Sequence, residues 1–312
     1  MPVLDRTASV TVQPSAPPAV HQRSTTGQTF LEYLRRAYSL DLRSLALFRI
    51  GLGAVLLGDL IVRACDLTAF YTDFGTLPRA ALLDRFSPAE RFSVYLMSGE
   101  WFFQAGLFII AGLLAVMLML GIRTRLAAVA SWFMLVSVQT RNPIILQGGD
   151  VYLRVLTFIA IFLPLGAVYS VDASLQPETE EKKDREFSFF STPGLALIAQ
   201  VAMVYMFAVL LKTAPEWRKE FSAVYYALNL QQMSTPVGRF LLHFPKLLPW
   251  LTRWTLVQEG SLPVLLLTPF FAGPARMFAV ILIFMLHIAL GLSIRLGHFP
   301  YIACMAALPP RV

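Results

Sequence analysis

Lys212 closes an apolar run in YMFAVLLKTAPEW. A lysine amine in apolar surroundings gives up its proton more readily, because burial penalises the ammonium, and so becomes usable as a general base. The plainer reading is an alkyl stem lying along lipid while its charge reaches back to the interface. His287, in IFMLHIALGLSIRL, falls in the middle of another apolar run. An imidazole there can polarise a substrate oxygen or carry a proton, or it can simply tie one helix to another by a hydrogen bond. Glu259, in LVQEGSL, poses the same choice on a third run.

Other charges fall inside apolar runs at helical spacing. An ionisable side chain at the centre of a membrane helix costs about 2.5 to 3.5 kcal/mol, so it calls for a partner, a cavity or a function. In SLALFRIGLGAVLLGDLIVR, Asp59 and Arg63 stand four apart and can pair on one face, and Arg49 is expected to point the same way. That set reads either as structural ion pairing or as part of a binding cavity. Gly51 and Gly53 in the same stretch leave room for a close neighbour. In QTRNPIILQGGDVYLRVL, Asp150 and Arg154 are again four apart, just after Gly148 and Gly149. The glycines allow an anion-binding helix N-terminus, and capping by Asp150 explains the pattern equally well. Arg49, Asp59, Asp150, Arg154 and Glu259 are therefore the candidates for a binding cavity. His298 is the one histidine near His287, and Cys65 and Cys304 show no ligand spacing, so no metal is expected. The phosphate, nucleophile-elbow and zinc-protease motifs of soluble enzymes are missing too, which leaves intramembrane chemistry.

The elements that must position these groups are apolar helices. Of 312 residues 56% are apolar and only 14% charged, against about a quarter charged in soluble domains. Mean hydropathy is +0.62. The net charge of +7 comes from arginines scattered between apolar runs. They read as topology and lipid-headgroup charges, and a nucleic-acid partner is not expected. Eight segments approach the length of about 20 residues needed to cross a bilayer. They fall roughly at 44 to 64, 101 to 121, 124 to 140, 149 to 169, 193 to 212, 251 to 271, 275 to 295 and 298 to 310, the third and eighth being short. The expected fold is thus all-α, a polytopic bundle over 43–310.

Residues 1–42 read as a disordered tail followed by an interfacial helix from about Phe30 to Leu42. The stretch 176 to 187 is a solvated charge run, and WRKEFSAVYYALNLQQM reads as a surface helix ending near Pro236. Short loops rich in Lys and Arg place the N terminus in the cytoplasm.

Three stretches in order resemble the HTTM (horizontally transferred transmembrane) family, whose best-known member is the vitamin K-dependent gamma-glutamyl carboxylase. They are SLALFRIGLGAVLLGDL with FYTDFGTLPR, then RNPIILQGGDVYLRVLTFIAIFLPLGAVYSVDASL, then YMFAVLLKTAPEWRKEFSAVYYALNL. The resemblance implies a catalytic base at Lys212, five residues before Trp217, and a second catalytic group at His287, and it adds Trp217 to the cavity candidates. It also implies a carboxylase-like lyase or oxidoreductase using a lipid quinone in its hydroquinone form, in a bacterial cytoplasmic membrane. A protein partner or peptide substrate is implied besides membrane lipids. The alternative is a non-catalytic membrane component that binds a lipid or a partner protein. The carboxylase has a large lumenal portion beyond its membrane part, whereas this sequence reaches Val312 directly after its last apolar segment. A propeptide is therefore not expected to be held in the carboxylase's way.

Overall fold

The computed structural model describes residues 26–85, 92–177 and 187–309. The tail up to residue 25 and most of the charge run, 178–186, lie outside the described residues. The chain is helical almost throughout: α1 Thr26–Ala37, α2 Leu42–Cys65, α3 Leu67–Tyr71, α4 Arg79–Arg85, α5 Trp101–Leu120, α6 Thr124–Arg141, α7 Gly148–Ala160 and α8 Val171–Ser174. After these come α9 Thr192–Leu211, α10 Pro215–Arg218, α11 Ala223–Asn229, α12 Pro236–Leu241, α13 Leu248–Leu267, α14 Ala272–Ser293 and α15 Phe299–Ala306. Two short strands, β1 Leu40–Asp41 and β2 Ser188–Phe189, pair antiparallel.

Each of the eight expected segments contains a helix. Four of them, α2, α5, α9 and α14, are long and apolar enough to cross a membrane. The fourth expected segment stops early, at Ala160, because Pro164 lacks the N–H that would continue the ladder. The eighth is only Phe299–Ala306. The expected interfacial helix ends at Ala37, ahead of β1. The expected surface helix is broken into α10 and α11 by Phe221, whose φ is +56°, and Pro236 begins a helix instead of ending one.

Local chemistry sets the boundaries. Asp41 caps α2 by accepting from the Arg43 N–H at 2.8 Å, and Ser191 caps α9 by accepting from the Gly194 N–H at 3.1 Å. Gly121, at φ +72°, closes α5 in the left-handed conformation that glycine tolerates best. α2 packs chiefly on α5, and α9 on α13. Gly53 makes the first contact possible, since a Cβ there would stand 2.7 Å from the Ala115 carbonyl oxygen. Side chains such as Ile109, Leu113, Leu211, Phe278 and Met285 point outward, while Gln104, Ser137, Thr157 and Arg49 are buried. This pattern suits lipid as the surrounding solvent, because buried polar groups find partners only inside the bundle.

The bundle has two distinct ends. At the first, the Tyr38 hydroxyl donates to the Leu267 carbonyl at 2.5 Å, and Asp172 accepts from the Arg123 and Thr124 N–H groups. At the second lie the C-terminus of α2, the loop formed by residues 72–85 and 92–100, the start of α7 and the segment from Lys212 to Leu248.

Within that loop Arg79 donates to Asp73 through Nε and, at 2.7 Å, NH2. The guanidinium holds the Asp73 carboxyl below its ordinary value of 3.8. A lowered carboxyl contributes stability above its ordinary value and loses it as pH falls through the lowered one. Pepsin should therefore cut this loop faster as pH drops below 3.8. Asp73→Asn should be cut readily across that whole range, and a pH profile like the parent's would show that the pair does not hold the loop.

Candidate functional site at the second end of the bundle

Arg63, in the last turn of α2, is held from three directions. Its Nε donates to Asp59 at 2.7 Å, its NH1 to the Tyr71 hydroxyl at 2.9 Å, and its NH2 to Asp150. Asp59 lies one turn back on the same face. Tyr71 arrives from α3, which follows α2 after the single residue Asp66 that caps both helices. Asp150 comes from the start of α7, where its other oxygen accepts from the Gln147 N–H at 2.6 Å and completes a capping box. Capping is thus how the sequence around Gly148 and Gly149 is used. Asp150 spends its remaining oxygen on Arg63, and no ion pair between Asp150 and Arg154 occurs among the described residues. A cavity of about 290 Å³ opens beside this cluster. Asp59, Arg63, Asp66, Tyr71, Asp150 and His298 line it.

The second group sits between α9, α13 and α14. Lys212, the C-cap of α9, forms an ion pair with Glu259 of α13 and lies 4.7 Å over the Trp217 ring. Seven residues earlier on α9, the Tyr205 hydroxyl meets His287 Nε2 of α14 at 2.9 Å. Seven residues are two turns, so the two contacts share one face of α9 and lie roughly 10 Å apart along its axis. His287 is buried, and its Nδ1 has no hydrogen-bond partner. The ring borders a second cavity of about 440 Å³, walled mainly by apolar groups including Ile288, Leu292, Leu296 and Tyr301.

Arg49 takes no part in either group. It reaches the first end and donates to the Leu165 carbonyl at 2.9 Å and the Tyr169 carbonyl at 2.5 Å. These carbonyls are freed where α7 stops short, so the expected cavity-binding residue is a cap for an unwound segment. Arg141 does the same for Thr72 and Leu77 at the second end, and Arg276 for Leu266 and Ala37 at the first. A guanidinium presents five donors, which suits it to collecting carbonyls at breaks between helices.

The structure therefore brings Asp59 and Asp150 together, and Lys212, Trp217 and Glu259 together, with His287 of α14 meeting α9 two turns away at Tyr205. It leaves Arg49 and Arg154 apart from both groups. Tyr71, Tyr205 and His298 escaped the sequence reading as site residues. The seven-residue interval from Tyr205 to Lys212 is a signal that could have revealed one of them. Nothing local in the sequence announces Tyr71 or His298, because both reach the cluster through contacts between separate elements.

An all-helical chain with apolar groups outward, charges inward and four helices long enough to cross a bilayer is an integral membrane protein. The HTTM domain family model matches residues 38–309, and the chain belongs to the HTTM family. No curated protein and no solved structure matches it.

Proposed function

We propose that this protein is a membrane enzyme acting with a lipid-soluble quinol, in which Lys212 is the general base and His287 binds a quinol oxygen. In this reading about eight segments enter or cross a bacterial cytoplasmic membrane with the N terminus on the cytoplasmic side, which puts the second end on the opposite face. The observation that carries the proposal is the buried, unpartnered Nδ1 of His287 at the edge of an apolar cavity. An unmade hydrogen bond in such a place costs about 1–3 kcal/mol, which a ligand oxygen or hydroxyl can recover.

The bound quinol supplies an acidic hydroxyl. Lys212 must be an amine to accept its proton, and Glu259 is placed to make it one. When the quinol binds, transfer of a proton from Lys212 Nζ to its ion-pair partner Glu259 frees the amine. Tyr205 fixes the His287 ring by holding Nε2.

Lipid extraction and mass spectrometry of the purified protein test the reading. A quinone is expected in near-stoichiometric amount, and His287→Ala should lower its occupancy at least tenfold while the protein still inserts. Absence of quinone, with no binding of an added short-chain naphthoquinol, would contradict the proposal.

A non-catalytic role in binding a lipid or a protein partner is the second reading. Its support is that both Lys212 contacts, the ion pair and the stacking on Trp217, are those of a settled ammonium. It expects no quinol-dependent chemistry and damage to assembly in Asp59→Asn.

A further inference from the structure

The cavity beside Arg63 has a charge imbalance that the proposed function does not use. Three carboxylates, Asp59, Asp66 and Asp150, face it against the single guanidinium of Arg63. Arg63 is fully engaged, with each guanidinium nitrogen already donating. Asp59 is different. Its Oδ2 accepts from Arg63, but Oδ1 has no hydrogen bond, and the nearest cationic candidate, His298 Nδ1, stands 3.7 Å away. That distance is outside hydrogen-bonding range. The Asp59 side chain is only 7% exposed, so this carboxylate oxygen is set in the cavity wall with the long ion pair to His298 as its one partner among the described residues. A buried surplus of negative charge is unfavourable unless a cation joins it.

We infer that this cavity binds a primary ammonium group, which donates to Asp59 Oδ1 and is attracted by the carboxylate surplus. Phe70, Tyr71 and Phe299 form aromatic parts of the same wall, and ring faces attract organic cations. A metal ion fits poorly. Among the described residues no three His, Cys, Asp or Glu groups converge to hold one, and a bare ion would leave most of the roughly 290 Å³ empty. The ammonium comes either from an amine-bearing lipid headgroup or from a soluble amine. The site is separate from the Nδ1 position of His287, although Gly297 borders both cavities, and the inference stands without the quinol reading.

The test uses the whole protein in phosphatidylcholine nanodiscs, titrated with n-butylammonium, tetramethylammonium and sodium chloride at matched ionic strength. Butylammonium should raise the thermal unfolding midpoint saturably, with half-effect at a concentration at least tenfold lower than tetramethylammonium, which has no N–H to donate. Asp59→Asn should abolish the shift. Because that change also disturbs Arg63, the exposed Asp66→Asn serves as the second variant and should weaken binding severalfold. If the ligand is a lipid, phosphatidylethanolamine nanodiscs should raise the midpoint unaided and butylammonium should add nothing. If it is a soluble amine, butylammonium should act alike in both lipids. A response to butylammonium no different from sodium, together with no effect of phosphatidylethanolamine, would overturn the inference. So would an unchanged shift in Asp66→Asn.

Discussion

Replacing Arg63 by methionine should destabilise the folded protein by about 3–5 kcal/mol, the cost of leaving buried charges without their partner. Asp59 and Asp150 would then face each other's charge across a wall from which water is largely excluded, with Tyr71 losing its donor as well. The companion experiment separates burial cost from net benefit. Arg63→Met combined with Asp59→Leu and Asp150→Asn removes the charges as a set, and the asparagine can still accept from the Gln147 N–H that Asp150 now caps. This triple variant should recover most of the loss, since buried ionic groups replaced together by apolar ones are often neutral for stability. Denaturant or thermal titration in detergent reads both. A single variant within about 1 kcal/mol of the parent would place the cluster in water, where exposed ion pairs contribute that little.

The helices were legible because length and hydropathy act locally. A run such as Leu42–Cys65 declares itself without knowledge of its neighbours. The Asp59 and Arg63 pair was legible for the same reason, being one turn apart on one helix. The identical spacing of Asp150 and Arg154 misled, because Asp150 lies at a helix N-terminus and packing carries it to Arg63, 87 residues away in sequence. Arg49 misled in another way. Its helical phase suggested company with Arg63, yet its long side chain goes to carbonyls uncovered by the break after Ala160, 116 and 120 residues further on. That break depends on Pro164, which sits inside an otherwise convincing apolar segment. The pairing of Lys212 with Glu259, and of His287 with Tyr205, joins helices distant in sequence and could be read only from their packing. The His287 bond to Tyr205 is the interhelical role foreseen for it. What the sequence concealed was the second ring nitrogen, left without a partner beside a cavity.

Lys212→Ala should lower protein-dependent consumption of a short-chain naphthoquinol in air by a hundredfold or more, the usual contribution of a positioned general base. Binding of the quinol should change little, because His287 and the apolar cavity are untouched. Glu259→Gln should also slow the reaction strongly, since Glu259 is the group that relieves Lys212 of its proton. Infrared difference spectroscopy of the protein in nanodiscs, recorded before and after adding the quinol, tests this most directly. The account predicts that a protonated-carboxyl stretch appears on binding, and that it is absent in both Glu259→Gln and Lys212→Ala. A difference spectrum with no such band in the parent protein, or one whose band survives Glu259→Gln, would contradict it.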